Sequence, residues 1–251
     1  TGSADLAAAY AWGTPTYSAL DVVVKTTPDR LTVDNPTVAI FGQLSLVKNL
    51  TGDGADGVPN DTVFKVNVSC NAPAQGQQTN YAAEFDLLVG AAQNTPNLPV
   101  GTTCTVTEQA PTHDLGESYA WGPTPASQEV QVGPSGSVTP VTVTNTINRV
   151  YGSLSVIKNL TDDYGVVTTE TEFSGTGSCT GNSDASGTWS VLVSGQETKQ
   201  ATMTGPADAI LLGSKCTVTE TLPEAPGAMY AWEVPAFIPS ETVTVGGNTP
   251  H

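Results

Sequence analysis

Two ten-residue stretches alternate apolar and polar side chains in the same order, at residues 42–51 and again at 152–161. Strict alternation is the mark of a half-buried β-strand, with every second residue on one face. Leu44, Leu46, Lys48 and Leu50 fall on one face of the first, and Leu154, Val156, Lys158 and Leu160 on one face of the second. Each time a lysine stands in the apolar row. A lysine so placed must snorkel to solvent, find a partner, or give up its charge.

The recurrence extends along the chain. Tyr10-Ala11-Trp12 returns as Tyr119-Ala120-Trp121 and as Tyr230-Ala231-Trp232. Leu31-Thr32-Val33-Asp34-Asn35 matches Val141-Thr142-Val143-Thr144-Asn145. Asn35 and Asn145 lie 110 residues apart, as do Lys48 and Lys158. A supersecondary unit repeated at that spacing makes a string of similar domains. The expected organisation is a closing third of one repeat at 1–41, a complete repeat at 42–149, and a second repeat at 150–251 that lacks its last strand.

Glycine and proline are plentiful, threonine and valine dominate the patterned stretches, and no window sustains helical periodicity. In the complete repeat, Phe64, Val66, Val68 and Cys70 alternate on one strand. A strand over 81–89 follows, then Cys104, Val106 and Glu108 on one face of another. The Tyr119 strand, a short strand at 129–132 and a last one through Val141, Val143 and Asn145 complete the set. The second repeat runs in parallel through Cys179, 189–193, Cys216 to Glu220 and an expected strand at Tyr230. Seven or so short strands predict an all-β fold of tandem immunoglobulin-like β-sandwiches.

The chain of 251 residues carries 8 basic and 24 acidic side chains. That balance argues against nucleic acid or an anionic membrane as partner, since both need positive charge. No stretch is long and apolar enough to span a membrane as a helix. Four cysteines fall two per repeat at matching positions. Without closely spaced pairs or accompanying histidines they do not read as a metal site. Disulfides Cys70–Cys104 and Cys179–Cys216 are the expectation, which fits an oxidising, extracellular setting; buried free thiols are the alternative.

Three polar residues recur on apolar strand faces: Lys48 on the first strand, Glu108 after the second cysteine, and Asn145 on the last. In the second repeat their counterparts are Lys158 and Glu220, with the asparagine cut off. Such a set can join lysine to asparagine. Burial lowers a lysine pKa toward a neutral amine nucleophile, and raises a carboxyl pKa so that a neutral acid can polarise the asparagine carbonyl and carry protons. Ammonia leaves and an amide remains. A buried Lys48–Glu108 ion pair with Asn145 as a hydrogen-bonding filler is the plainer alternative.

The patterns around Lys48, Thr107-Glu108 and Val143-Thr144-Asn145 resemble the B-type (CnaB-like) repeats of Gram-positive collagen adhesins and pilins, actinobacterial surface proteins in particular. In that family a first-strand lysine bonds a last-strand asparagine beside a glutamate from a Thr-x-Thr-Glu-Thr-x-Ala-Pro segment. Residues 217–226 match that segment closely and 105–111 less fully. The resemblance implies Lys48–Asn145 as an isopeptide with Glu108 as catalytic residue, and Lys158 and Glu220 as the same pair in the second repeat. Cysteine pairs are not typical of that family, so a disulfide could stand in for the amide.

Nothing in the sequence points to an enzyme acting on a separate substrate, or to a metal or cofactor. His113 and His251 do not recur between repeats, and Glu84 and Asp86 read as a solvated strand face. The Tyr-Ala-Trp runs read as core anchors before sugar platforms. Two classes of function remain: a stiff stalk or fibre on a bacterial surface or cell wall, and a binding module for a host protein or glycan. Partners are neighbouring repeats or identical chains head to tail. In the head-to-tail case the 31–35 strand would complete the second repeat of another copy, with Asn35 facing Lys158. Apart from such pairing, the strands of 1–41 are expected to be unpaired.

Overall fold

In the computed structural model the described residues are 6, 9–26, 30–71, 80–182, 184–205 and 209–246. The fold is all-β, and the described residues include one short 3-10 turn at Ala55–Gly57. It divides into two compact units, one of residues 1–113 with 121–146 and one of 114–120 with 147–251.

The first unit is a sandwich of two sheets. One is antiparallel, in the order Gln128–Gln131, Thr103–Glu108, Phe64–Asn71, Tyr81–Leu87. The other runs Tyr119–Trp121, Val138–Arg149, Phe41–Thr51, Ala92–Asn94. Phe41–Thr51, the lysine strand, and Val138–Arg149, the asparagine strand, lie side by side and parallel, with Val143 opposite Lys48 and Asn145 opposite Leu50. Parallel neighbours require a crossover connection, here the whole intervening domain. Alternation does what it predicts: Leu44, Leu46 and Lys48 are buried, with Leu50 only partly so. They meet Val66, Val68, Val106, Val141 and Val143 in one core. Gly42, second in the strand, suits its place because a Cβ there would stand 3.0 Å from the Gly133 carbonyl oxygen and 3.2 Å from that of Ser137.

The strands before Phe41 are not left unpaired. Tyr10–Trp12 pairs with Thr37–Ala39, and Thr16–Tyr17 with Val33–Asp34. Backbone bonds from Gly13 to Pro36 and from Ile40 to Ala9, each 2.8 Å, extend the first of these ladders. The strands satisfy one another, which corrects the expectation of a free tail. They bring little core of their own, and Leu20, Val23 and Val24 are largely exposed.

The second unit repeats the first sheet in the order Thr202–Thr204, Ala185–Val193, Thr171–Thr180, Lys215–Thr221, Thr242–Thr244. Its core gathers Leu154, Leu160, Phe173, Trp189, Val193 and Val218. The opposite layer is fragmentary. Tyr151–Gly152 pairs with Ile210–Leu211 and Ile157–Leu160 with Glu197–Gln200, while residues 153–156 between them are in no strand. The strand expected at Tyr230 does not form either. The cause is shared. In the first unit the asparagine strand lies between Tyr119–Trp121 and the lysine strand. Among the described residues nothing takes that place in the second unit, so both flanks lose their ladder.

Candidate functional site

Three strands of the first unit deliver one buried cluster. Lys48 points inward from the lysine strand, Glu108 from the end of Thr103–Glu108 in the opposite sheet, and Asn145 from the asparagine strand. They are 0%, 6% and 3% exposed. Lys48 Nζ donates to Asn145 Oδ1 at 2.9 Å, to the Val143 carbonyl at 3.2 Å and to the Asn49 carbonyl at 3.0 Å. The nearer Glu108 oxygen stands 3.7 Å from Nζ. Neither Glu108 oxygen receives a hydrogen bond of ordinary length. The Phe64 ring closes the cluster from above, its centroid 4.6 Å from Nζ, and Trp121 meets Phe64 edge-on at 5.9 Å.

Burial dominates the electrostatics. It lowers the Lys48 pKa from 10.5 to about 8, against the opposing pull of Glu108. It raises the Glu108 carboxyl above its ordinary 4.5, more than the Lys48 charge and the Asn145 amide hold it down. The two values therefore converge. In water, moving the proton from such a lysine to such a glutamate costs about 8 kcal/mol. With Lys48 lowered to about 8 and Glu108 raised, that cost is smaller in this site. Once the proton has moved, an uncharged amine sits within hydrogen-bond reach of a carboxamide, in a water-poor pocket beside a neutral acid. That arrangement suits addition of the amine to the carbonyl.

The second unit rebuilds part of the cluster. Lys158 Nζ is 2.7 Å from Glu220 Oε1, with the two side chains 15% and 5% exposed. Phe173 lies 4.5 Å from Nζ, and Trp232 meets Phe173 edge-on at 5.1 Å. No asparagine completes the set among the described residues. Asn35 is exposed between two short strands.

Each pair of cysteines forms a cross-strand disulfide, Cys70–Cys104 and Cys179–Cys216, and none is free. Cys70 lies opposite Cys104 in the register that also sets Val66 opposite Glu108. The bridge therefore fixes the strand that presents Glu108. Glu84 and Asp86 hold Lys65 on an exposed face, at 2.6 and 3.1 Å. His113 contributes its carbonyl oxygen, which accepts from Trp121 Nε1 at 3.0 Å; Trp232 makes the matching bond to Glu224, also 3.0 Å. Among the described residues no group of three or more His, Cys, Asp or Glu could hold a metal ion.

The sequence places Phe64 on a strand face but gives neither Phe64 nor Phe173 a part in the cluster. Each follows its lysine by 15 or 16 residues, a recurrence that could have drawn notice. Only the fold shows that each ring caps an amine.

A family profile described as Domain of unknown function (DUF5979) matches residues 44–148 and again 154–251. The chain belongs to the DUF5979 family. Each of its two DUF5979 segments contains the lysine, the glutamate and both cysteines of one repeat. No curated protein matches it. Solved structures similar to this DUF5979 chain include the pilus-presented adhesin Spy0125, 17% identical with a TM-score of 0.32, covering 43% of this chain and 28% of that one. A Mobiluncus mulieris adhesin containing intramolecular disulfide, isopeptide and ester bond cross-links is 21% identical with a TM-score of 0.31, covering 50% and 46%. The major pilin from Streptococcus pyogenes is 15% identical with a TM-score of 0.26, covering 57% and 66%. The chain thus spans about a quarter to two thirds of the length of these structures.

Proposed function

We propose that this chain is a structural segment of a bacterial surface stalk or fibre, and that its first unit locks itself with an amide between Lys48 and Asn145. The observation that carries this is the buried contact of Lys48 Nζ with Asn145 Oδ1 at 2.9 Å, with the Glu108 carboxyl 3.7 Å from the same nitrogen.

The chemistry needs no other reactant. Lys48 passes its proton to Glu108 and adds through Nζ to the Asn145 side-chain carbonyl carbon. Glu108 gives that proton to the departing nitrogen and takes the second Nζ proton in its place, which the ammonia carries away as ammonium. The carbon–Nδ2 bond breaks, ammonia leaves, and the Nζ–carbon amide remains. Glu108 is catalytic in the sense that it carries protons between the reacting groups from 3.7 Å off the amine and is regenerated. The reaction acts within the chain and turns over once.

An extracellular address is supported by the two disulfides, which persist in oxidising surroundings. None of the described helical segments is long and apolar enough to cross a membrane. A stalk role is supported by where order is invested. The framework strands carry the core, the disulfide and the lysine cluster, and threonine-rich exposed faces surround them.

Intact mass of the reduced, denatured chain tests the reading. One ammonia fewer than the sequence predicts, with tandem mass spectrometry placing the link at Lys48 and Asn145, is the expected result. A mass equal to the sequence mass overturns it.

A further inference from the structure

Three residues carry the chemistry proposed for the first unit, and one further side chain reaches the surroundings of all three. Trp121 ends the strand Tyr119–Trp121, which lies beside the asparagine strand. Gly122, next along, donates through its backbone to the Thr146 carbonyl at 2.7 Å, one residue beyond Asn145. A Cβ at Gly122 would stand 3.0 Å from that oxygen, so the approach favours glycine.

The indole itself leads to the other two residues. Its ring meets Phe64 edge-on at 5.9 Å, and Phe64 lies over the Lys48 amine at 4.6 Å. Phe64 is the first residue of its strand, and Val63 before it is in no strand and 52% exposed. The capping ring therefore takes support from another element. Trp121 Nε1 donates to the His113 carbonyl at 3.0 Å. Glu108 is the last residue of Thr103–Glu108, and residues 109–116 after it are in no strand. The indole thus ties down the run of chain that leaves Glu108.

Both contacts recur in the second unit. Trp232 Nε1 donates to the Glu224 carbonyl at 3.0 Å, and its ring meets Phe173 edge-on at 5.1 Å, with Phe173 4.5 Å from the Lys158 amine. In each unit the acceptor stands eight residues before the tryptophan, histidine in one and glutamate in the other. Each accepts through its backbone, so the contact demands the tryptophan and leaves the loop residue free to differ. An indole suits the task, with a broad apolar body and one N–H donor at its edge.

We infer that Trp121 is a positioning residue for the Lys48–Asn145 amide, holding the Phe64 ring over the amine and the Glu108 end of the site closed to water. It supplies no reacting atom. The inference rests on the amide proposed above. Excluding water lets the fixed groups of the site act on the amine and the acid without competition from solvent.

The test follows ammonia loss by intact mass while the full chain, recovered unfolded from inclusion bodies, refolds under oxidising conditions at a series of pH values. The reaction needs Lys48 and Glu108 to share one proton, and among the described residues Glu108 is the charged group that acts on Lys48. The wild-type rate should therefore fall as pH passes about 8. Trp121→Ala should slow the reaction roughly ten- to a hundredfold. By wetting the amine it should also move the alkaline fall upward, toward the ordinary lysine value of 10.5. Trp121→Phe keeps a ring against Phe64 but loses the N–H, and should slow the reaction less. His113→Ala keeps the carbonyl and should match wild type. A Trp121→Ala chain that links at the wild-type rate, or more slowly with the alkaline fall unmoved, overturns the inference and leaves the amide standing. If Trp121→Ala does not fold, Trp121→Phe decides: slower linking at an unchanged calorimetric midpoint supports the inference, and a wild-type rate or slowing matched by a lowered midpoint overturns it. A wild-type chain that never loses ammonia overturns the amide itself.

Discussion

Replacing Lys48 and Glu108 together with methionine separates the two readings of the buried cluster by the sign of its effect. Methionine carries no charge and leaves neither group of the pair stranded. If Lys48 and Glu108 form only an ion pair, exchanging the whole pair for apolar side chains is close to neutral or stabilising, whereas removing Lys48 alone would strand a buried carboxyl and cost about 3–5 kcal/mol. If Lys48 is bonded to Asn145, the substitution opens a loop spanning 97 positions of sequence. The Cys70–Cys104 bridge lies inside that loop and shortcuts 34 positions of it. Chain entropy then assigns the amide about 4–5 kcal/mol of stability. For a domain of about 110 residues, unfolding entropy near 0.23 kcal/mol/K converts this to a fall of about 20 °C in the first unit's midpoint. Differential scanning calorimetry of wild type and Lys48→Met/Glu108→Met, disulfides intact, reads it, with the second unit as internal reference. A mass gain of one ammonia equivalent, corrected for the substitution, should accompany the fall. An unchanged or raised midpoint refutes the covalent account.

Glu108→Gln should leave Lys48 unlinked at full sequence mass, and its stability should respond to pH in a definite direction. The folded Lys48 pKa lies at about 8 and the unfolded value near 10.5. The unfolded chain therefore binds more protons between them, and stability should rise by about 3 kcal/mol as pH climbs through that window. Removing the Glu108 charge takes away the interaction that raises Lys48, so the rise should begin below pH 8; urea midpoints that fall over this range contradict the burial argument. Non-reducing peptide mapping should recover Cys70 with Cys104 and Cys179 with Cys216, and the Cys70→Ala/Cys104→Ala double variant should still lose its ammonia. Gly175→Ala should destabilise the second unit by about 1–3 kcal/mol, since its methyl group would collide with the Thr219 carbonyl and with Trp189 Nε1, which donates to that carbonyl at 2.9 Å. A calorimetric midpoint unchanged from wild type would count against that packing.

The framework was legible because its signal is local. Alternation marks the strand from Phe41 to Thr51, and repetition at offsets of 110 to 112 residues ties Lys48, Glu108 and Asn145 to their counterparts. What escaped depends on partners distant in sequence. Tyr230-Ala231-Trp232 has the same local pattern as Tyr119-Ala120-Trp121, yet only the latter forms a strand. A strand exists by its ladder, and the ladder at Tyr119–Trp121 is supplied by Val138–Arg149. The pairing of Thr37–Ala39 with Tyr10–Trp12 spans a long loop that no turn signal predicts. The ring of Phe64 over Lys48 depends on how two sheets stack, which alternation within one strand does not encode.

The disulfide and the lysine cluster are not rival staples for one job. Cys70–Cys104 joins two strands of one sheet, while Lys48 and Asn145 stand on adjacent strands of the other. Glu108 links the two, since it belongs to the first sheet and reaches across the core to Lys48 in the second. Pinning Cys104 to Cys70 fixes the register of a short strand four residues before Glu108. That limits sliding of the carboxyl relative to the amine, where about 1 Å of misplacement can cost a hundredfold in rate. The bridge therefore positions the glutamate but supplies none of the atoms that react. An amide built this way ties the first strand of the domain to its last, which are the strands that pulling on the chain ends would separate. The disulfide, between interior strands, carries none of that load once the amide is in place.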